Sequence, residues 1–80
     1  MHMRPRIQRT FISRRIREKL LRRGIEASHV NQAIRNRELL RRAKHGAYGL
    51  IGRDETGRRL LVIFHLRGET AHIATARRVR

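Results

Sequence analysis

Cysteine and tryptophan are absent from the 80-residue sequence, and its aromatic residues are limited to one tyrosine and two phenylalanines. Without cysteine the chain can form neither a disulfide framework nor a cysteine-ligated zinc site. No apolar run approaches the roughly 18 residues that a membrane span needs, and no signal-peptide core lies near the N-terminus. We therefore expect a cytoplasmic protein that does not enter a membrane.

Acidic residues are also scarce. Only six are present, and only Asp54 and Glu55 are adjacent. Metal-dependent nucleases hold Mg²⁺ with several convergent carboxylates, which this distribution does not favour. The histidines at positions 45, 65 and 72 lack the spacing of known zinc sites. We expect no bound metal and no cofactor.

The shortage of aromatic residues argues against one way of binding RNA. Single-strand binders that use a sheet stack the bases on aromatic side chains. We assign Phe11 and Phe64 to the core, and Tyr48 either stacks a base or belongs to the core. Backbone and shape contacts are therefore expected to carry most of the affinity, with little base specificity.

Positive charge is the most prominent feature of the sequence. Lysine and arginine number 21 against six acids, which gives a net charge of +15. Most of these cations are arginines, whose planar guanidinium groups suit bidentate contact with phosphate. The charge favours a nucleic acid as the partner, and an anionic membrane or an acidic protein is the alternative.

The first half of the chain predicts two helices. Ile12, Ile16 and Leu20 recur every four residues, Ser13 can cap the N-terminus, and Gly24 suits a left-handed end. A second helix is predicted over residues 27–36. We also considered a helix-turn-helix, which would leave the strand-rich second half without a role.

The first predicted helix carries six cations against the single acid Glu18. A solvated helix face is the simplest interpretation, but such an imbalance also suits contact with phosphates. The candidate nucleic-acid-binding residues on this helix are Arg14, Arg15, Arg17, Lys19, Arg22 and Arg23.

The second half predicts four strands joined by short turns, over residues 38–44, 47–53, 58–66 and 70–78. Connections this short pair neighbouring strands in sequence order. The expected fold class is α+β, with two N-terminal helices packed on one face of a four-stranded antiparallel sheet. The chain is expected to form one domain over residues 1–80, in which residues 1–10 form a loose basic arm or an edge strand.

Three segments, 48–53, 57–64 and 73–78, resemble the sheet of BrnT-type toxins of the RelE-like ribonuclease superfamily. They match as an aromatic-to-Gly-Arg strand, a Gly-Arg turn into a Leu-Val-rich strand, and a closing strand that ends in Thr-Ala-Arg. Arg23-Gly24-Ile25 is similar to the end of the first helix in related small proteins. The resemblance covers residues 11–78, with departures at Arg15 and Ala47.

The resemblance implies a RelE-like fold and a type II toxin–antitoxin toxin. Such a protein would be a metal-independent endoribonuclease that cleaves mRNA, either free or on the ribosome. An acidic cognate antitoxin would be its partner. The resemblance marks Arg77, in the closing Ala-Arg position, as the best catalytic candidate.

The remaining candidates come from the chemistry of the side chains. Arg53, at the end of a predicted strand, could assist Arg77 in stabilising the phosphorane. His65 or His72 could move the proton, because histidine titrates near neutral pH. A satisfied strand-end histidine and an exposed sheet histidine are the simpler interpretations. The candidate RNA-contacting set is completed by Tyr48, Arg58 and Arg78.

Two other functions remain open at this point. The chain could be a non-enzymatic basic module that binds RNA or DNA, for example on the ribosome. It could also be an interaction protein whose cations serve an acidic partner.

Overall fold

The computed structural model describes residues 5–80, so the first four residues of the predicted basic arm lie outside the described chain. Two helices and five strands follow one another in this part of the chain, with a single 3₁₀ turn at Lys44–Gly46 before β3. The elements are β1 (Arg9–Phe11), α1 (Arg14–Arg22), α2 (Ala27–Arg35), β2 (Arg37–Arg42), β3 (Tyr48–Arg53), β4 (Arg59–Arg67) and β5 (Thr70–Arg78).

The strands form one mixed sheet in the order β1-β5-β4-β3-β2. The strands from β2 to β5 pair as an antiparallel meander, whereas β1 pairs with β5 in parallel. The prediction of a four-stranded antiparallel sheet behind two N-terminal helices is therefore wrong. A strand precedes the helices, and its partner lies at the other end of the chain, where no local turn signal could reveal the pairing.

The two helices begin and end for local reasons. The side chain of Ser13 accepts a hydrogen bond from the Ile16 backbone N–H at 3.2 Å, which caps α1. Gly24 follows that helix with a φ of 74°, a conformation that glycine adopts without a steric penalty. At the start of α2, the Glu26 backbone N–H donates to Nδ1 of His29 at 3.0 Å. Each helix is nine residues long, and none among residues 5–80 could cross a membrane.

A glycine on β3 sets the distance between α2 and the sheet. A Cβ atom at Gly52 would lie 1.8 Å from the carbonyl oxygen of Ala33. The helix backbone therefore rests directly on the strand, as only glycine permits. Asn36, which follows the helix, fixes the same approach, because its carbonyl accepts from the Arg53 backbone N–H at 3.3 Å.

One core lies between the helices and the sheet. The strands present alternate residues to it, as the period of two of a β-strand requires. We call this side of the sheet the covered face. The side chains of the core come from the covered face and from the helical segment that packs on it, and they are fully or almost fully buried. The helical segment contributes Leu20, Ile25, Val30, Ala33 and Ile34, and the covered face contributes Leu50, Leu60, Val62, Phe64, Ala71, Ile73 and Ala76.

Candidate nucleic-acid interface

The opposite side of the sheet, here called the open face, carries the candidate site. The strand register and the burial pattern place its residues, none of which is buried. They are Arg9, Phe11, Glu38, Leu39, Arg41, Gly49, Ile51, Arg53, Arg59, Leu61, Ile63, His65, Arg67, Thr70, His72, Thr75 and Arg77. Half-buried apolar side chains occupy the centre of this face, and cations occupy its two ends.

Three rings form a row across β1, β5 and β4. Phe11 is the register partner of His72, which in turn lies opposite His65. The rings of Phe11 and His72 are 5.3 Å apart and tilted by 50°. Assigning Phe11 to the core was wrong, since the residue is 52% exposed. The chain therefore does present rings on which bases could stack.

A row of cations runs beside the row of rings. Thr70 is the register partner of both Arg9 and Arg67, so the two arginines flank it on neighbouring strands. This row lies two residues before His72 along β5, which is about 7 Å at the rise of a β-strand. Sequence reasoning missed Arg9 and Arg67. The sequence feature that could have revealed Arg9 is the alternation Arg9-Thr10-Phe11, which places the arginine and the ring on one side of a strand.

The predicted catalytic residues are divided between the two ends of the open face. The structure brings His65 and His72 together as direct cross-strand partners. Arg77 lies opposite Leu61, four residues along β4 from His65, which is about 13 Å. Arg53 lies at the same end as Arg77, opposite Arg59. The four residues therefore do not surround a single reacting phosphate.

Glu38 binds two of the arginines at the end of the open face where Arg77 lies. Its two carboxylate oxygens accept hydrogen bonds from Nε of Arg53 and Nε of Arg59, each at 3.0 Å. These bonds lower the pKa of Glu38 from its ordinary value of 4.5. Glu38 reaches the open face because it lies at the irregularity of register between Arg37 and Leu39, where an extra residue redirects the side chain.

Arg78, a predicted RNA contact, forms an ion pair with a buried acid. It faces the covered side and pairs with Asp54, whose side chain is completely buried. Burial favours the neutral form of this carboxyl. The hydrogen bonds from Arg78, Thr56 and the Arg58 backbone N–H outweigh burial and hold the pKa of Asp54 well below its ordinary value of 3.8. The pair ties the end of β5 to the β3–β4 turn.

The other predicted RNA contacts lie away from the open face. Arg14, Arg15, Arg17, Lys19 and Arg22 are exposed on α1, where Arg14 pairs with Glu18 at 3.3 Å. Arg23 donates to the carbonyl of Ala76 at 3.0 Å. Tyr48 is half-buried, and its ring stacks on Phe64 at 5.6 Å. Arg58 lies next to β4 in the hairpin turn.

Within residues 5–80, no three histidine, aspartate or glutamate side chains come together in a way that could hold a metal ion. Both nitrogens of His29 are engaged within the fold: Nδ1 accepts from the Glu26 backbone N–H at the start of α2, and Nε2 lies 3.2 Å from Glu55. The open face thus offers rings, guanidinium groups and two adjacent imidazoles. Comparisons of the chain with family models, with curated proteins and with solved structures gave no match.

Proposed function

We propose that this chain binds single-stranded RNA across its open face. The observation that carries the proposal is the pair of adjacent rows, one of rings at Phe11, His72 and His65, and one of guanidinium groups at Arg9 and Arg67. Bases stack on aromatic faces irrespective of their sequence, and guanidinium groups bind phosphates. A nucleotide whose base rests on the rings can place its phosphate by the arginines.

The same geometry favours single strands over duplexes. The bases of an RNA duplex are stacked on one another, and the grooves expose only their edges. An exposed ring such as Phe11 can therefore contribute only where bases are splayed out. The net charge of +15 adds a general attraction that is expected to weaken steeply with salt.

A matched pair of double variants tests where RNA binds. Arg9→Gln with Arg67→Gln removes two cations from the open face, and Arg15→Gln with Arg17→Gln removes two from α1. We expect the first variant to bind a short, fluorescently labelled single-stranded RNA about tenfold more weakly, and the second less than about threefold more weakly. Equal losses would show that only net charge matters and would refute an interface on the open face.

RNA cleavage is a second candidate function, and the adjacent imidazoles of His65 and His72 favour it. In this reaction the 2′-oxygen of a ribose attacks the neighbouring phosphorus, a 2′,3′-cyclic phosphate forms, and the bond to the 5′-oxygen breaks. One imidazole takes the proton of the 2′-hydroxyl, while the other, protonated, gives a proton to the departing 5′-oxygen. Arg9 and Arg67 would stabilise the charge on the phosphorane, and Arg77 and Arg53 would hold flanking phosphates.

The resemblance to BrnT-type toxins fits this second candidate. As a type II toxin the protein would cleave mRNA in the cytoplasm, free or on the ribosome. An acidic antitoxin would neutralise its cations. The alternative, a binding module without enzymatic activity, would use the same open face and leave the RNA intact.

Cleavage is tested with purified protein and labelled RNA in the presence of a chelator. We expect cleavage to persist without free metal, to show a bell-shaped pH dependence, and to fall by at least about 100-fold in His65→Ala and in His72→Ala. Growth arrest on expression in bacteria, lost in the same variants, would support a toxin. Intact RNA that remains bound to the protein would exclude cleavage and would support a binding module without enzymatic activity.

A further inference from the structure

Two arginines at the far end of the open face are held by one carboxylate. Glu38 accepts from Arg53 with one oxygen and from Arg59 with the other. All three side chains are a little under half exposed, so an incoming ligand can reach them. Among residues 5–80, Glu38 is the acid whose hydrogen bonds to Arg53 and Arg59 place it on the open face.

We propose that Arg53 and Arg59 form a binding site for a backbone phosphate of RNA, and that Glu38 occupies this site while the protein is free. This inference rests on the proposed RNA binding and identifies a second contact point on the same face. A carboxylate and a phosphate present similar pairs of oxygens to guanidinium groups, so Glu38 stands where the phosphate would bind.

Glu38 is not the sole contact that positions Arg53. Arg53 also donates from its NH1 group to the backbone carbonyl of Gly57 at 2.8 Å, which holds its guanidinium group when the carboxylate leaves. Arg59 extends from β4, and Arg77 is its diagonal neighbour on β5, about 7–8 Å away between Cα atoms. Two guanidinium groups therefore bind Glu38, and Arg77 adds a further positive charge two strands from Arg53 at the same end of the sheet.

The exchange is easily reversible. An exposed ion pair contributes little to stability, because water and salt screen it. Displacing Glu38 from the two arginines therefore costs little free energy. A bound phosphate restores a negative charge beside the arginines, and its binding also releases counterions. Glu38 would lower the affinity of the free protein for RNA and for other anions.

Glu38→Gln tests the inference, with Glu18→Gln as the matched control. Both variants lose one exposed negative charge, but Glu18 pairs with Arg14 on α1, away from the open face. We expect Glu38→Gln to bind short single-stranded RNA about fivefold more tightly at low salt, and Glu18→Gln less than about twofold more tightly. The slope of log K against log salt should steepen by about 0.7 for each additional RNA phosphate that the variant neutralises.

A double variant identifies the arginines as the origin of the tighter binding. Arg59→Gln placed in the Glu38→Gln background should return the affinity to the wild-type value or below. Equal binding by Glu38→Gln and Glu18→Gln would overturn the inference, and thermal unfolding of each variant confirms that the fold is retained. In that case, if the Arg9→Gln, Arg67→Gln double variant still bound RNA more weakly, the proposed RNA binding would stand and only the second phosphate site would be refuted.

Discussion

The two faces of the sheet are built from the same strands and differ in what covers them. On β4, Leu60, Val62 and Phe64 are completely buried under the helices. Between them along the same strand, Leu61 and Ile63 are half-buried, and His65 beyond them is exposed. A single strand thus supplies the core with one set of side chains and the solvent with the other.

If the open face binds RNA as proposed, this difference separates the residues that stabilise the fold from those that bind RNA. Substitutions on the covered face should unfold the protein, whereas those on the open face should change RNA binding and leave the fold intact. A small domain has only about 5–15 kcal/mol of net stability. A single misplaced atom in the core is therefore a large perturbation.

Gly52→Ala should show the largest effect. The added Cβ would collide with the Ala33 carbonyl on α2, and neither backbone can move without disturbing the core. We expect the free energy of unfolding in urea to fall by more than about 3 kcal/mol. Gly49→Ala is the control on the open face, because its Cβ would meet only the flexible end of Ile63 at 3.4 Å. A similar loss at Gly49 would contradict the contrast between the faces.

Asp54→Asn should have the next largest effect, since it leaves Arg78 without its charged partner. We expect the free energy of unfolding in urea to fall by about 3 kcal/mol at neutral pH. Glu69→Gln, which weakens an exposed pair with Arg6 at 3.7 Å, should cost less than about 0.5 kcal/mol.

The stability provided by Asp54 should depend on pH in a defined direction. Folding lowers the pKa of Asp54 below its ordinary value of 3.8. Its contribution is therefore fully present well above that pH and is lost as the pH falls below it. The wild type should approach Asp54→Asn in stability as the solution is acidified. A constant difference between the two proteins in acid would contradict this account.

Phe11→Ala should weaken RNA binding by about tenfold and lower stability by only about 1 kcal/mol. Leu21→Ala is the matched control, because Leu21 on α1 is 51% exposed and Phe11 is 52% exposed. Both variants remove a half-exposed apolar side chain, but only Phe11 lies on the open face. Binding that falls equally in both would place the RNA elsewhere.

Tyr48→Phe should show the smallest effect of all. The ring of Tyr48 stacks on Phe64, which is part of the covered face, and phenylalanine preserves that packing. We expect RNA affinity and stability to change by less than about 0.5 kcal/mol each. A large loss of binding would make the hydroxyl of Tyr48 part of the interface and would break the division between the faces.

Local signals in the sequence determined the helices, their ends and the meander. The spacing of Ile12, Ile16 and Leu20 and the cap at Ser13 act within a few residues of each other, so they can be read without knowing the fold. The pairing of His65 with His72 was predictable for the same reason, because a short turn joins their strands. The positive charge can likewise be read from composition alone, and the proposed nucleic-acid partner starts from it.

Only the tertiary structure decided how the cations and rings are distributed. The parallel pairing of β1 with β5 joins distant parts of the chain, and it carries Phe11 and Arg9 to the imidazoles. Asp54 pairs with Arg78, and Glu38 pairs with Arg53, through contacts across 24 and 15 positions of sequence. Charge can be counted in a sequence. Whether a given arginine faces an acid, the core or a ligand depends on which distant residues folding brings beside it.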